Sequence, residues 1–388
     1  MKRRKFLQSA GGALIGPWPI RPAFSDAPAP LAGLGNGFGL AIHDYLPATL
    51  DVARDAGFTL IRTDLFWSGV EVQRRVYDWA TYDRLMSDLA ARDLRAQFVL
   101  GFNNPEVYGG RWMEGITMSF ERNAYAAFCA AAAARYASAD PIWEIYNEPN
   151  RDNFWEPRAN PAEYMTLARQ AIAAIRSAQP DAIIIAPALG HKMGEPVLDL
   201  GFLEACLADG LAPLVDAISI HPYVDPEMVG DTYAAVQVLL DRYPVTPPLA
   251  VLSTEWGFAT NRFVNDDLQA DVLVRMFLMN LSYGIALSIA YVAVDRTEAY
   301  VPEEERTYGI VQADYTPKAA FHQLADMNRQ LRGLRFRARL PSDPADVVLA
   351  FEGEGRAMCA VWTTGEPREA IINGTAMMLT SRPVYVPG

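Results

Sequence analysis

The feature that most constrains the fold is a regular alternation of short apolar segments and longer helix-like segments between about residues 34 and 332. Most of the short segments are continuously apolar and polar only at their ends, as expected of parallel strands that are covered on both faces. Eight strands are predicted in this way: FGLAIH from Phe38, TLIRTDLFW from Thr59, AQFVLGF from Ala96, IWEIYNE from Ile142, AIIIAPA from Ala182, AISIHPY from Ala217, LAVLSTEW from Leu249 and SIAYVAV from Ser288.

Helix-like segments separate these strands. The segment from Ala162 follows Pro161 and ends before Pro180, which are start and stop signals for a helix. The alternation predicts an α/β fold of the TIM (β/α)8 barrel type. An open, doubly wound sheet is the alternative, but no glycine-rich phosphate-binding turn follows the first strand.

The pattern changes after Met327, where short alternating segments are separated by Gly, Pro and charged residues. These segments predict a small C-terminal antiparallel β unit that is sandwich-like and packs on the barrel. The mature N-terminus could add one strand to this unit. The predicted organisation is a signal peptide over 1–25, a catalytic barrel over 26–332 and a β appendage over 333–388.

The N-terminus has the layout of a secretory signal: a basic run, an interrupted apolar stretch over 10–20, and small residues up to Ser25. The stretch is too short to span a bilayer, and Arg3 and Arg4 before Phe6 resemble the twin-arginine export motif. We expect removal near Ser25 and export to the periplasm or the extracellular space. An uncleaved amphipathic or membrane anchor is the alternative.

Charge limits the partners. The chain has a net charge of −12, and loss of residues 1–25 would leave 29 basic against 46 acidic residues, a net charge of −17. Such an acidic chain is not expected to bind nucleic acid or anionic membrane surfaces, whereas neutral sugars remain possible partners. Stable membrane insertion is not expected because no segment after the N-terminal stretch has the pattern of a spanning helix. Cys129, Cys206 and Cys359 have no metal-like spacing and are predicted to be buried. The sequence does not determine the oligomeric state.

Two glutamates occupy equivalent positions, because Glu148 ends the fourth predicted strand and Glu255 ends the seventh. In a TIM barrel they would face each other across the mouth. Paired carboxylates can hydrolyse a glycoside, since one protonates the leaving oxygen while the other acts as nucleophile or activates water. Paired acids also hold divalent metals, but the four histidines of the chain form no ligand pair at helical spacing.

The surrounding residues carry a family resemblance. The stretch Asn147-Glu148-Pro149 on the fourth strand, together with STEWG over 253–257, resembles the signature of the clan A glycoside hydrolases, which are retaining TIM-barrel enzymes. With IRTDLFW, SIHPY and the YGIVQADYTPKAAF segment, the combination most resembles family 39, the family of β-xylosidases, α-L-iduronidases and bacterial exopolysaccharide hydrolases.

This resemblance implies roles. Glu148 would be the general acid/base, with a pKa raised by burial and by the charge of Glu255, and Glu255 the nucleophile. Arg62 would lie beside the nucleophile and Tyr223 would donate a hydrogen bond to it. Asn147 would bind the sugar 2-hydroxyl.

Other positions complete the predicted sugar site. Tyr291 or Asp295 stands where the clan often has a tryptophan, and Asn103 and Asn104 replace a common histidine. Asp64 is either a site residue or a core partner of Arg62. His43 and Asp44 either line the pocket or form a loop pair. The predicted substrate-binding residues are Asn147, Arg62, His221, Tyr223, Trp256, Asp64, Trp67, Asn103, Trp155 and Tyr291, and aromatic residues are expected to rim the mouth.

The sequence therefore predicts an exported, retaining O-glycosyl hydrolase that acts on a poly- or oligosaccharide without metal or cofactor. The alternatives are a catalytically impaired carbohydrate-binding barrel, an inverting or transglycosylating glycosidase of the same fold, and a metal-dependent hydrolase.

Overall fold

A computed structural model of the chain describes residues 36–192 and 194–388. Its strands are β1 (Phe38–Ala41), β2 (Leu60–Phe66), β3 (Glu71–Gln73), β4 (Val76–Tyr77), β5 (Arg95–Gly101), β6 (Ile142–Ile145), β7 (Ile183–Leu189), β8 (Ala217–Ile220), β9 (Ala250–Trp256), β10 (Ser288–Ala290), β11 (Arg335–Arg339), β12 (Asp346–Gly353), β13 (Arg356–Thr363), β14 (Arg368–Ile372), β15 (Thr375–Leu379) and β16 (Val384–Pro387). Its helices are α1 (Pro47–Asp55), α2 (Trp67–Val70), α3 (Ala80–Ala90), α4 (Pro105–Tyr108), α5 (Ser119–Tyr136), α6 (Pro161–Ala178), α7 (Leu200–Ala208), α8 (Val229–Leu240), α9 (Asp266–Ser282) and α10 (Ala319–Leu331). The predicted signal peptide, and any N-terminal strand before residue 36, lie outside the described residues.

Eight strands close into a parallel barrel in the order β1-β10-β9-β8-β7-β6-β5-β2. The barrel closes where β1 pairs with β10, with Phe38 opposite Ser288. All eight predicted barrel strands and the TIM-barrel fold class are confirmed.

Each barrel strand has one face toward the barrel interior and one toward the helices. On β7, Ile183 and Ile185 belong to the cluster that fills the interior, whereas Ile184 packs in the cluster between the barrel and its helices. On β2, the interior position of Leu60 is followed at two-residue steps by Arg62 and Asp64. The interior therefore changes from apolar to charged toward the carboxyl ends of the strands.

The helix layer follows local sequence signals. The side chain of Asn160 caps α6 by accepting hydrogen bonds from the backbone N–H groups of Ala162 and Glu163, and Pro161 occupies the first turn. Buried alanines of α5 and α6, such as Ala132 and Ala168, allow these helices to lie close to the barrel. None of the helices in the described part of the chain has both the length and the apolar character needed to cross a membrane.

The C-terminal strands form the predicted β appendage. A four-stranded antiparallel sheet, in the order β11-β12-β13-β16, lies beside the separate hairpin β14-β15. Alternate residues of β12 have different neighbours: Val347 and Leu349 join the core that includes the barrel helices, whereas Val348 packs in a smaller cluster with Leu379 of the hairpin. The sheet therefore has one face on the barrel and the other on its own hairpin.

Candidate active site

Glu255 lies near the carboxyl end of β9, where the strand is irregular. Ser253 pairs with Ser288, but Trp256 pairs with Ala290, so three residue steps on β9 match two on β10. This β-bulge breaks the strict alternation of side chains. Thr254 and Glu255 can consequently both reach the interior, where they contact Glu144 and Arg62, respectively.

Glu148 lies just beyond β6 in a backbone conformation that is unusual for a residue with a side chain. Its φ is +44°, and its backbone N–H donates to the carbonyl of Ala188. Non-glycine residues with such φ values are uncommon and cluster at functional sites. A Cβ on Gly190 would lie 2.5 Å from Oε1 of Glu148, so the glycine leaves the space that this side chain occupies.

The two glutamates face each other. A carboxylate oxygen of Glu148, one of Glu255 and a ring nitrogen of His221 all lie within 4.8 Å of one another. The Glu148 side chain is 5% exposed and that of Glu255 is 15% exposed, so both are mostly shielded from water. Retaining glycosidases place their two carboxyl groups about 5 to 5.5 Å apart, and inverting ones about 6.5 to 9.5 Å apart.

Both oxygens of Glu255 accept hydrogen bonds. The Tyr223 hydroxyl donates to Oε1 over 2.7 Å, and Nη1 of Arg62 donates to Oε2 over 2.6 Å. Burial raises the pKa of Tyr223, and the charge of Glu255 raises it further, so the hydroxyl stays a donor. These contacts orient the carboxylate and stabilise its negative charge.

Arg62 links the pair to a deeper carboxylate. Its Nε donates to Glu144 over 2.9 Å, and Nη2 donates to Oδ1 of Asn147 over 2.8 Å. Burial alone would lower the pKa of Arg62, but the charges of Glu144 and Glu255 outweigh it and raise the pKa. Because arginine can only donate, Oδ1 of Asn147 must face it, which leaves the Asn147 Nδ2 as a donor for a ligand.

A second set of polar side chains, on or just after β1, β2 and β10, lies near enough to Glu255 to be affected by its charge. Nε2 of His43 lies 3.0 Å from the hydroxyl of Tyr291. Burial lowers the pKa of His43 to about 4, and the charge of Arg296 acts in the same direction, so the ring is neutral near pH 7. Burial raises the pKa of Asp64 to about 6, against the effect of Arg62. Asp44 instead accepts hydrogen bonds from Leu46 and Thr49 and so structures its own loop.

The pKa of Glu148 differs from the expectation. Burial acts to raise it, but the hydrogen bond from His221 and the positive charge of Arg151 outweigh burial, so the pKa lies below its usual value. His221 lies 3.0 Å from Oε1 and Arg151 lies 2.8 Å from Oε2. The direction is therefore opposite to the predicted rise, because the sequence did not reveal that His221 and Arg151 both contact this carboxylate.

Glu148, His221 and Glu255 are close enough to share a metal ion. Their hydrogen bonds fit such an ion poorly. Nη2 of Arg62 lies 3.4 Å from Nε2 of His221 and can only donate, so Nδ1 of His221 carries the proton that it shares with Glu148. The guanidinium of Arg62 also lies beside Glu255, where a second cation would be repelled.

Comparison with known protein families gives a match that is consistent with the barrel and its paired carboxylates. Residues 33–276 match the model of the Cellulase family, glycosyl hydrolase family 5. The chain belongs to this family. It is therefore a clan A glycoside hydrolase, as predicted, and an O-glycosyl hydrolase whose substrate is a saccharide.

Relatives of this family 5 member include family 39 proteins. A β-xylosidase from Geobacillus stearothermophilus is 24% identical over 376 residues, covering 85% of this chain and 72% of that protein. The structure is also similar to a family 39 glycoside hydrolase from Bacteroides cellulosilyticus WH2, with a TM-score of 0.75, 22% identity, and coverage of 91% of this chain and 80% of the other. A family 39 β-xylosidase from Caulobacter crescentus has a TM-score of 0.63 and 18% identity, with 86% and 78% covered. These structural likenesses establish a shared fold.

Three of the predicted aromatic subsites, Trp256, Trp67 and Trp155, pack in the hydrophobic core of this hydrolase. Trp256 is fully buried, packs on Phe277 and donates to Ser288, because the bulge on β9 turns it toward the helices. Trp67 is also fully buried and donates to Glu71.

Trp155 is 1% exposed and packs edge-on against Tyr146 and Tyr164. Asn103 is equally buried, and its Oδ1 accepts from the backbone N–H of Asn104. Among the residues described, neither Trp155 nor Asn103 is hydrogen-bonded to Glu148 or Glu255. Trp112, which is 41% exposed and packs against Phe66 and Phe102, is a better candidate for the rim.

Sequence reasoning missed three residues at the site. Glu144 lies inside β6 between apolar neighbours, and nothing in the sequence marks it as the partner of Arg62. Arg151 and His191 lie in loops after barrel strands. The position of Arg151, three residues after Glu148, was the available signal.

Proposed function

We propose that this hydrolase retains anomeric configuration by double displacement, with Glu148 as acid/base and Glu255 as nucleophile. The observation that carries the proposal is the approach of the two carboxylates to within 4.8 Å across the barrel mouth. An approach this close supports the separation of about 5 to 5.5 Å typical of retaining enzymes over the about 6.5 to 9.5 Å typical of inverting ones.

In the first step, Glu255 attacks the anomeric carbon while Glu148 protonates the departing oxygen, giving a glycosyl ester on Glu255. In the second step, Glu148 takes a proton from water, and the water oxygen displaces Glu255. Arg62 and Tyr223 hold the attacking carboxylate in place and, by donating hydrogen bonds to it, stabilise its negative charge when it is displaced again. Asn147 offers its Nδ2 to the sugar 2-hydroxyl.

The side of the site beside Glu255 would hold the sugar ring. Asp64, His43 and Tyr291 provide hydrogen-bonding groups there, and Asp64 and Tyr291 were predicted for this role. The substrate is a poly- or oligosaccharide, and β-xylosides belong in the first panel because a β-xylosidase is among the relatives.

Substitution of each glutamate tests the mechanism on a panel of aryl glycosides. Glu255→Ala is expected to lose about 10⁴-fold or more in kcat. Azide should restore part of this loss and give a product of inverted configuration, because a small anion can occupy the place of the carboxylate.

Glu148→Ala is expected to lose about 10² to 10⁴-fold on poor leaving groups and far less on activated ones, which need no proton. Chelators should leave wild-type activity unchanged. Full activity of Glu255→Ala, or an inverted product from the wild-type enzyme, would falsify the assignment. An intact barrel that binds sugars without turnover would support the alternative of an impaired binder.

We also propose that residues 1–25 direct export to the periplasm or beyond. The paired Arg3 and Arg4 support this, as do Cys129, Cys206 and Cys359, which are buried free thiols in the structure. A chain without disulfides can fold before export. Replacing both arginines by lysine and following the protein by cell fractionation tests this route, and unchanged export would contradict it.

A further inference from the structure

Arg151 donates a hydrogen bond to Oε2 of Glu148, the proposed acid. Its Nη1 donates to Oε2 of Glu148 over 2.8 Å, and its side chain is 34% exposed, so it lies at the border between the buried carboxylate and the cleft. The guanidinium carbon also lies 5.6 Å from the ring centre of Phe154. This ion pair joins two residues on one turn of the loop after β6.

The ion pair conflicts with proton donation by Glu148. The inner oxygen, Oε1, faces the fully buried His221, which donates to it from Nδ1. A proton intended for a leaving group must therefore sit on Oε2. A guanidinium beside Oε2 stabilises the ionised carboxylate, so protonation of this oxygen is disfavoured while Arg151 donates to it. Displacement of Arg151 would therefore favour the acid form.

Two polar atoms without partners lie near this position. Nε of Arg151 and Nε2 of His191 are buried, and neither has a hydrogen-bond partner among the described residues. His191 follows β7, and its ring stands edge-on to that of Tyr223 at 6.2 Å. An anion placed here could accept a hydrogen bond from Nε of Arg151, and from Nε2 of His191 in the tautomer that carries a proton there.

We propose that the leaving-group side of the cleft binds an acidic sugar residue whose carboxylate takes Arg151 from Glu148. This inference rests on the proposed function and names its substrate class: an acidic polysaccharide or oligosaccharide with a uronate on the leaving-group side of the cleaved bond. The substrate carboxylate replaces Glu148 as the partner of Arg151, and Glu148 takes a proton from solvent onto Oε2. That proton then passes to the departing oxygen.

The charged and titratable groups that face Glu148 agree with this exchange. They come from four elements: Arg151 from its own loop, His191 after β7, His221 after β8 and Glu255 on β9. Of the four, Arg151 is the cation at the open side. Burial raises the pKa of Glu148, and His221 and Arg151 lower it; a bound anion that draws Arg151 away removes one of these two lowering contacts and leaves the hydrogen bond from His221.

Two aryl glycosides of one sugar test the proposal, with a 3-carboxyphenyl or a 3-carbamoylphenyl leaving group, since these differ in charge and hardly in shape. The wild-type enzyme should prefer the carboxylate in kcat/KM at pH 7. In Arg151→Gln this preference should fall at least about tenfold. With the neutral substrate, the basic limb of the pH profile should move to higher pH, because Arg151 no longer lowers the pKa of Glu148.

Two further variants serve as controls. Arg111→Gln removes an exposed arginine that pairs with Glu156, and it should keep the carboxylate preference. Arg151→Lys keeps the charge and should retain most of it, which separates charge from any folding defect.

An equal rate on both glycosides in the wild type, or an equal fall in Arg151→Gln and Arg111→Gln, overturns the inference and leaves the proposed function intact. Failure of the wild type to cleave either glycoside, with every sugar tested, overturns the proposed function itself.

Discussion

Arg62 contributes both to the stability of the fold and to the proposed chemistry. Its guanidinium compensates both Glu144, which is fully buried, and Glu255, which faces the cleft. Leaving a buried charge without its partner costs about 3 to 5 kcal/mol. A loss of activity on substituting Arg62 would therefore mix a catalytic effect with a folding effect, and the next residue on the same face of β2 offers a cleaner experiment.

Asp64→Asn is expected to stabilise the protein while reducing activity. Its folded-state pKa of about 6 lies above the unfolded value of 3.8, so ionisation of Asp64 favours the unfolded state. The cost is absent below about pH 4 and complete above about pH 6. We expect Asp64→Asn to raise the free energy of unfolding by about 1 to 3 kcal/mol at pH 7.5 and by much less at pH 4.5, measured by urea unfolding.

The control for this experiment is Asp181→Asn, because Asp181 is exposed. It should change the free energy of unfolding little at either pH. A gain for Asp64→Asn that is the same at both pH values would show that burial of a charge is not its origin.

The polar site residues were predictable where they follow the end of a strand. Glu148, His221 and Tyr223 do so, and Glu255 closes the apolar run of β9, which allowed the sequence to group residues that lie far apart in the chain. Glu144 was not predictable, because a glutamate inside an apolar strand has no sequence signal for its partner. The burial of Trp67, Trp155 and Trp256 was not predictable, because the direction of a ring depends on local backbone geometry that composition does not specify.

At the level of elements, the eight barrel strands were predictable because strands covered on both faces are apolar throughout. The bulge on β9 was not, since no residue type marks the position where an extra residue enters a strand. This bulge decides that Glu255 faces the cleft and Trp256 faces the helices. A one-residue change of register thus separates a site residue from a core residue.

The turn after β7 supplies a second prediction. Gly190→Ala would place a Cβ 2.5 Å from Oε1 and 2.6 Å from the carboxyl carbon of Glu148. The glutamate must shift, and a misplacement of about 1 Å can cost about 10²-fold in rate. We expect kcat to fall by that order in steady-state kinetics, with a small change in melting temperature.

The matched variant is Gly201→Ala in α7, where the new Cβ would meet its nearest neighbour at 3.6 Å. It should keep full activity, and because Gly201 is only the second residue of α7, any gain in stability should stay below the about 0.5 to 1 kcal/mol typical of a helix interior. Normal kinetics for Gly190→Ala would mean that Glu148 tolerates displacement, which contradicts the tight placement described above.

At the level of the whole molecule, the C-terminal sheet is an extension of the barrel's core. Trp362 on β13 is fully buried in the cluster that also contains the barrel helices, and its Nε1 donates to Glu227. Arg382 and Ser381 both contact Asp271 of α9. A β unit of this size has little core of its own, so it should depend on the barrel for its stability.

Trp362→Ala is expected to reduce the free energy of unfolding by about 3 to 5 kcal/mol. Because the core is shared, we expect one unfolding transition, seen together by circular dichroism and by loss of activity. Trp362→Phe, which keeps an aromatic ring, should lose less. Two separate transitions, with activity following only the second, would indicate instead that the sheet unfolds independently of the barrel.

The three buried thiols make it possible to follow this coupling in time. Cys129 lies in α5, Cys206 in α7 and Cys359 in the C-terminal sheet, and burial raises the pKa of both helix thiols. A thiol reagent added to the native protein can therefore reach them only when the surrounding structure opens. The labelling rate of each cysteine therefore reports how often α5, α7 or the C-terminal sheet opens. Three equal labelling rates would mean that these parts of the molecule open together.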